Sequence, residues 1–254
     1  MTLRPASRRA QNRLATWGVI LALGVGLQVM VETGGLSRYV VSPPTEALGS
    51  LGELFVEDRL AQVFLLTLGM TFVAAACAIA VGVPLGLLLA RVELLRRSFE
   101  SWLGAAFSAP LVLLYPLFLV ILGRGLGTLI VMGALVGIAP IALKTIEGAR
   151  SIPPVLENVA RSMNMTQGQR LRLLVIPAAL PSVFAGVRIA LIYILINIVA
   201  IDFLVSLGGL GSLVAATYDR YDMPAMYGSI LFVILTSIAF FTLIEAGERW
   251  LTRR

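Results

Sequence analysis

Apolar runs long enough to cross a bilayer recur six times along the chain, and the short segments between them hold nearly all of its charge. A hydrocarbon core of about 30 Å calls for about 20 residues of helix. The runs Leu14–Val31, Leu60–Ala90, Trp102–Gly123, Leu126–Leu143, Ala178–Ile201 and Met226–Ile244 answer to that length with few or no charges. The pattern predicts an all-α membrane protein of about six transmembrane helices. The first run follows Arg4, Arg8, Arg9 and Arg13, as a secretory signal would. Its apolar stretch is too long for one and no small-x-small cleavage site follows, so it reads as a retained anchor. That divides the chain into a cytoplasmic N-terminal segment, 1–13, and a transmembrane domain, 14–254.

Prolines 84, 110, 116 and 140 fall inside or beside these runs and predict kinks there. Abundant glycine and alanine predict close helix packing. Two intervening stretches are too polar to span. Residues 35–59 are amphipathic and fit a helix lying along the outer surface. Residues 206–224, "SLGGLGSLVAATYDRYDMP", fit a short helix at the outer mouth, where irregular backbone faces protein or water.

A third polar stretch, 151–177, differs in kind. Pro153 and Pro154 suit the first turn of a helix, where a missing N–H costs nothing. From there Val155, Leu156, Val159, Ala160 and Met163 recur at helical spacing, and Glu157, Asn158, Arg161 and Asn164 take the opposite face. Thr166 with Gln169 three residues later matches a capping box and starts a second helix. This helix carries Arg170 and Arg172 before Pro177 and Pro181 mark re-entry into the membrane. A compact helix–turn–helix results, and its apolar face needs cover from the bundle or from a partner protein.

Composition sharpens the class. Of 254 residues 58% are hydrophobic and 13% charged, with mean hydropathy +0.92, against about 25% charged in soluble domains. No histidine and a single cysteine, Cys77, leave no disulfide, no His/Cys metal site and no Ser-His or Cys-His nucleophile. The net charge of +6 follows topology rather than nucleic acid. With the N-terminus inside, the cytoplasmic segments hold fifteen Arg and Lys residues, and Arg38, Arg59, Arg124 and Arg220 are the four outside. That asymmetry places both termini, and the stretch 151–177, in the cytoplasm. The outer side carries Glu46, Glu53, Glu57, Asp58, Asp219 and Asp222, so no basic funnel for anions is apparent.

Few polar residues lie within the spans. Arg188 must face the bundle or snorkel to the inner surface, as a structural ion pair or carbonyl cap, or as a solute contact. Asp202 lies near the outer end of the same helix, where it pairs with Arg220 or Arg124 as an outer gate or is hydrated. Tyr193 and Asn197 share a helix face, with Ser108 and Tyr115 available on the third span. They serve as solute contacts in transit or as interhelical hydrogen bonds.

"ENVARSMNMTQGQRLRLLVIPAALPSVFAGVRIAL" resembles the EAA loop of type I ABC importer permeases. That family places a glutamate-alanine-alanine, a glycine six residues after the glutamate, and a leucine-proline thirteen after the glycine. Counting back from Pro177 puts Asn164 at the glycine and Asn158 at the glutamate, with Glu157 one step early. "AIAVGVPLGLLLAR", "SAPLVLLYPLFLVILGRGLGT", "GGLGSLV" and "YDMPAMYGSILF" are similar to the nitrate/sulfonate/taurine/bicarbonate subgroup. "MNMTQGQRL" is also similar to the glycine-betaine (osmoprotectant) permeases.

The resemblance implies the type I permease fold in a bacterial inner membrane. It also implies a non-catalytic subunit that moves a small polar solute by alternating access. The implied partners are ABC ATPase subunits that bind ATP and Mg, a periplasmic or lipoprotein solute-binding protein, and a second permease copy in a homodimer. The ATPase contact would be made by Glu157, Asn158, Val159, Ala160, Arg161, Met163, Asn164 and Thr166. In agreement, no G-x-x-x-x-G-K-[ST] loop occurs, and the only lysine, Lys144, follows a leucine. An ATP-independent secondary transporter or channel would need paired membrane acids or an internal repeat. An intramembrane enzyme would need a nucleophile or metal set, and the sequence has neither.

Overall fold

The computed structural model describes residues 5–57 and 60–252; the charges expected at Arg4, Arg59, Arg253 and Arg254 lie outside these. Eleven α-helices account for almost all of the described residues, with no strand among them. Helices α3 (Leu60–Arg91), α6 (Leu126–Arg150), α9 (Ile176–Val205) and α11 (Met223–Thr252) are long and apolar enough to cross a membrane. These account for four of the six expected spans.

One of the other two departs from a plain helix. The run Trp102–Gly123 is broken into α4 (Glu93–Ser108), a 3₁₀ turn (Leu111–Leu114) and α5 (Tyr115–Leu122), bent by 86° at the break. The cause is local. Pro110 has no N–H to continue the ladder and restricts Ala109 to extended backbone, ψ 138°. The first run lies in α1 (Pro5–Glu32), a single continuous helix. Pro84 and Pro140, by contrast, sit inside continuous helices, while Pro116 occupies the first turn of α5.

Contacts divide the chain into two compact units, Met1–Leu60 with Val214–Val233, and Ala61–Leu213 with Ile234–Arg254. In the first unit α2 (Pro44–Glu57) is the expected amphipathic helix. Its Ala47, Ser50 and Leu54 are buried, and Ser50 Oγ donates to the Pro224 carbonyl at 2.9 Å. Gly228 admits this approach, since a Cβ there would strike Ser50 Oγ and the Ala47 carbonyl. Asp222 caps the start of α11 by accepting from Ala225 N–H at 3.1 Å.

The second unit is built on α6 against α9, with α3 beside them. Its core gathers Met70, Ala74, Ala78, Met132, Ile141, Ile194, Ile198 and Ile201. Small residues set the spacing, as membrane bundles require. A Cβ on Gly137 would meet Ile194 Cδ1 at 2.7 Å, and one on Gly186 would meet Lys144 Cβ at 2.8 Å and the Pro140 carbonyl at 3.2 Å. Overpacking such a site costs about 1–3 kcal/mol. Gly186→Val is therefore expected to lower the thermal unfolding midpoint of the detergent-solubilised protein, and Gly104→Val, in open space, is expected to lower it less.

Candidate functional site

Two places concentrate the polar chemistry of the second unit: the segment after α6 and a pocket at the break between α4 and α5. The segment opens where Pro153, at ψ 137°, caps α7 (Pro154–Ser162). The turn that follows is held by backbone bonds, Asn164 N–H to Arg161 O at 2.9 Å and Met165 N–H to Ala160 O at 3.1 Å. Asn164 sits in the left-handed region at φ 52°, which asparagine tolerates better than most residues. Thr166 then closes the predicted capping box: its N–H donates to Gln169 Oε1 at 2.9 Å, and its Oγ1 accepts from Gln169 N–H at 3.3 Å. Helix α8 (Gln167–Arg170) passes through a π-helical turn, Leu171–Val175, directly into α9.

A salt bridge from Arg170 to Glu157 ties the two arms together. Ala160 is buried in the angle, and a cavity of about 160 Å³ lies between the arms. Of the eight residues expected to touch an ATPase, Asn158, Val159, Arg161, Met163, Asn164 and Thr166 are exposed. Ala160 and Glu157 instead shape the segment from within. The apolar face stands open, with Val155 69%, Leu156 45%, Val159 48% and Met163 65% exposed. At its root, Arg150 of α6 pairs with Glu93 of α4 at 3.5 Å, and Glu93 also pairs with Arg96 and Arg97.

The left-handed turn makes a direct prediction. Asn164→Gly should leave the stability of the segment unchanged or raised. Asn164→Val should cost about 1–2 kcal/mol, read as faster proteolytic cleavage at 163–166.

The pocket brings together three of the membrane candidates. Ser108, Tyr193 and Asn197 line a cavity of about 240 Å³ with Phe107, Pro110 and Ile196. Tyr193 packs edge-to-face on Phe107, with centroids 4.9 Å apart. Asn197 is 8% exposed, and its Oδ1 is buried without a hydrogen-bond partner. Tyr115 is not in this cavity; it packs against the core from the start of α5. Arg188 is half-buried nearer the start of α9.

Asp202 departs from the expected outer gate or hydrated carboxylate. It is fully buried and accepts two backbone N–H groups, Leu207 at 3.0 Å through Oδ1 and Ser212 at 2.8 Å through Oδ2. Arg124 goes elsewhere, donating to the carbonyls of Val205 and Ser206 at the end of α9, where a cation complements the helix dipole. Thr67 Oγ1 accepts from Leu210 N–H at 2.9 Å. Gly209 leaves room for this group, since a Cβ there would fall 2.7 Å from Asp202 Oδ2 and 2.8 Å from Thr67 Oγ1. Sequence spacing brought Asp202 to notice, but not the backbone donors, which become its neighbours only when the glycine-rich loop turns back.

Long apolar helices, a broken span lined by polar groups and a stiff polar hook between two spans define a membrane transport permease. Residues 82–254 match the family described as "Binding-protein-dependent transport system inner membrane component", and the chain belongs to that family. It is 34% identical over 177 residues to the osmoprotectant import permease OsmW of Salmonella typhimurium, covering 67% of this chain and 81% of OsmW. It is 25% identical to the taurine transport permease TauC of Escherichia coli K12, over 98% of this chain and 90% of TauC. Its fold is similar to that of the inward-facing methionine ABC transporter MetNI, with TM-score 0.65 and 26% identity over 76% of this chain and 94% of that one.

The protein is thus a transmembrane subunit of an ABC importer, with the type I permease fold, in a multi-pass inner-membrane setting. ATPase and solute-binding-protein partners come with that family.

Proposed function

We propose that α7 and the capped turn after it dock into a separate ATPase subunit, which holds ATP and Mg and drives the membrane helices by alternating access. The observation that carries this reading is the open stripe Val155, Leu156, Val159 and Met163 on a segment otherwise locked by a capping box and an ion pair. An apolar face held rigid toward the cytoplasm gains by burial against a partner. Movement of the hook passes directly into α9, because the π turn joins them without a loop. The chain itself acts without catalysis, as one of two identical copies around the pathway. The solute is small, polar and delivered by a periplasmic or lipoprotein binding protein. It meets Ser108, Tyr193 and Asn197 in transit. The identity to OsmW favours an osmoprotectant-type solute as a second, narrower reading.

Cysteines placed at Asn158 and Asn164 in a Cys77→Ala background test the docking. They are expected to crosslink to the ATPase in at least one nucleotide state of the assembled importer. No crosslink in any state overturns the reading.

A further inference from the structure

We infer that the cavity enclosed by the ends of α3 and α6 and the root of the hook binds a phosphoryl group, carried by an anionic lipid headgroup or by free phosphate. None of its lining residues belongs to the docking stripe or to the pocket at the α4–α5 break, so the inference stands apart from both readings.

The cavity measures about 120 Å³ and takes Ala90 and Arg91 from α3, Ala149 from α6, Gln167 and Arg170 from α8, and Val175 from the π turn. Its charged groups are both arginines, and among the described residues no acid lines it. Arg91 is exposed and makes no hydrogen bond or ion pair among the described residues. The nearest acid in sequence, Glu93, is already engaged by Arg96, Arg97 and Arg150. Arg170 pairs through one Nη with Glu157, which lines the neighbouring cavity between the arms of the hook. Its Nε is buried without a partner, so that single carboxylate leaves the guanidinium incompletely paired. The side chain is still 37% exposed. A guanidinium presents a fork of N–H donors that fits the oxygens of a phosphoryl group, and the Gln167 amide adds a neutral donor.

Position selects the anion. Helix α3 has 32 residues, about 48 Å at 1.5 Å per residue, against a hydrocarbon core of about 30 Å. Arg91 at its end therefore reaches the headgroup layer, on the arginine-rich side of the bundle. Basic pockets between spans on that side receive anionic headgroups. The volume exceeds that of a single water several times over, which leaves room for a tetrahedral phosphoryl group between the two guanidinium groups. An anion held there would bridge Arg91 of α3 to Arg170 of the hook, and so brace the hook at the point where it enters α9.

The test uses the full chain, stripped of lipid in neutral detergent, and reads its thermal unfolding midpoint. Short-chain phosphatidylglycerol is titrated against phosphatidylcholine of equal chain length, and inorganic phosphate against chloride at equal ionic strength. Phosphatidylglycerol, phosphate or both are expected to raise the midpoint saturably, as a ligand of the folded state does. Arg91→Gln is expected to weaken that binding about tenfold, the scale of one charge-assisted hydrogen bond. Because Arg91 makes no bond of its own, the unliganded midpoint should not move. Arg172→Gln removes the same charge from an exposed position that does not line the cavity, and should leave the affinity within about twofold. A response to phosphatidylglycerol without one to phosphate assigns the site to a headgroup, and a response to phosphate assigns it to a free anion. Equal responses to the two lipids with none to phosphate overturn the site, and so do equal losses of affinity in the two variants.

Discussion

Val159→Asp with Met163→Asp is expected to release the permease from its ATPase without unfolding it. Both side chains are largely exposed, 48% and 65%, and neither supports the hook, whose shape depends on Ala160, the Glu157–Arg170 bridge and the Thr166–Gln169 box. Two carboxylates placed on the docking stripe would have to be desolvated at the centre of an interface. Disrupting such an anchor costs about 2 kcal/mol or more, about thirtyfold in affinity. Co-purification of the ATPase should be lost and solute-stimulated ATP hydrolysis should fall at least tenfold, while the thermal midpoint of the isolated permease stays within about 2 °C. Unchanged co-purification and unchanged stimulation would refute the role of the stripe. Glu157→Ala offers a contrast. It should weaken coupling by loosening the hook, and so should also raise protease sensitivity of 163–170.

The hook was legible in the sequence because its determinants are local. A proline pair, an apolar repeat and a threonine three residues before a glutamine each act within one or two turns, and the structure contains all three as read. The asparagine at position 164 supports a left-handed residue for the same short-range reason. Two features were out of reach. The break between α4 and α5 is a sharp 86° bend, whereas Pro84 and Pro140 leave their helices continuous. A kink is expected at each of these prolines, and only at Pro110 does the preceding residue, Ala109, leave the helix for extended backbone. The polar residues of the spans depended likewise on distant partners. Tyr193 and Asn197 share a helix face and could be paired by spacing, and Ser108 joins them only because α4 ends where it does. Tyr115 has the same residue chemistry but begins α5 beyond the bend, and so packs into the core.

Asp202→Ala is expected to be among the most destabilising single changes in the membrane domain, although no ion pair is lost. The carboxylate accepts the N–H groups of Leu207 and Ser212 at 3.0 and 2.8 Å, joining the end of α9 to the start of α10 (Leu210–Asp219) through the loop between them. Alanine would leave two donors unpaired beside a void, and each bond to a charged group contributes about 1.5–3 kcal/mol. A loss of about 3 kcal/mol or more corresponds to a fall of about 6–12 °C in the midpoint for a chain of this size. Asp202→Asn retains one acceptor and should fall about half as far. The outer-gate alternative makes an opposite forecast, since a gate built on an Asp202–Arg124 pair would be restored by exchanging the two charges. Arg124 is instead bound to the Val205 and Ser206 carbonyls, so Asp202→Arg with Arg124→Asp should be worse than either change alone. The arginine would lie among backbone N–H groups and the aspartate against carbonyls, each facing its own sign. Rescue by the exchange would show that the carboxylate works as a gate and not as the cap of a loop.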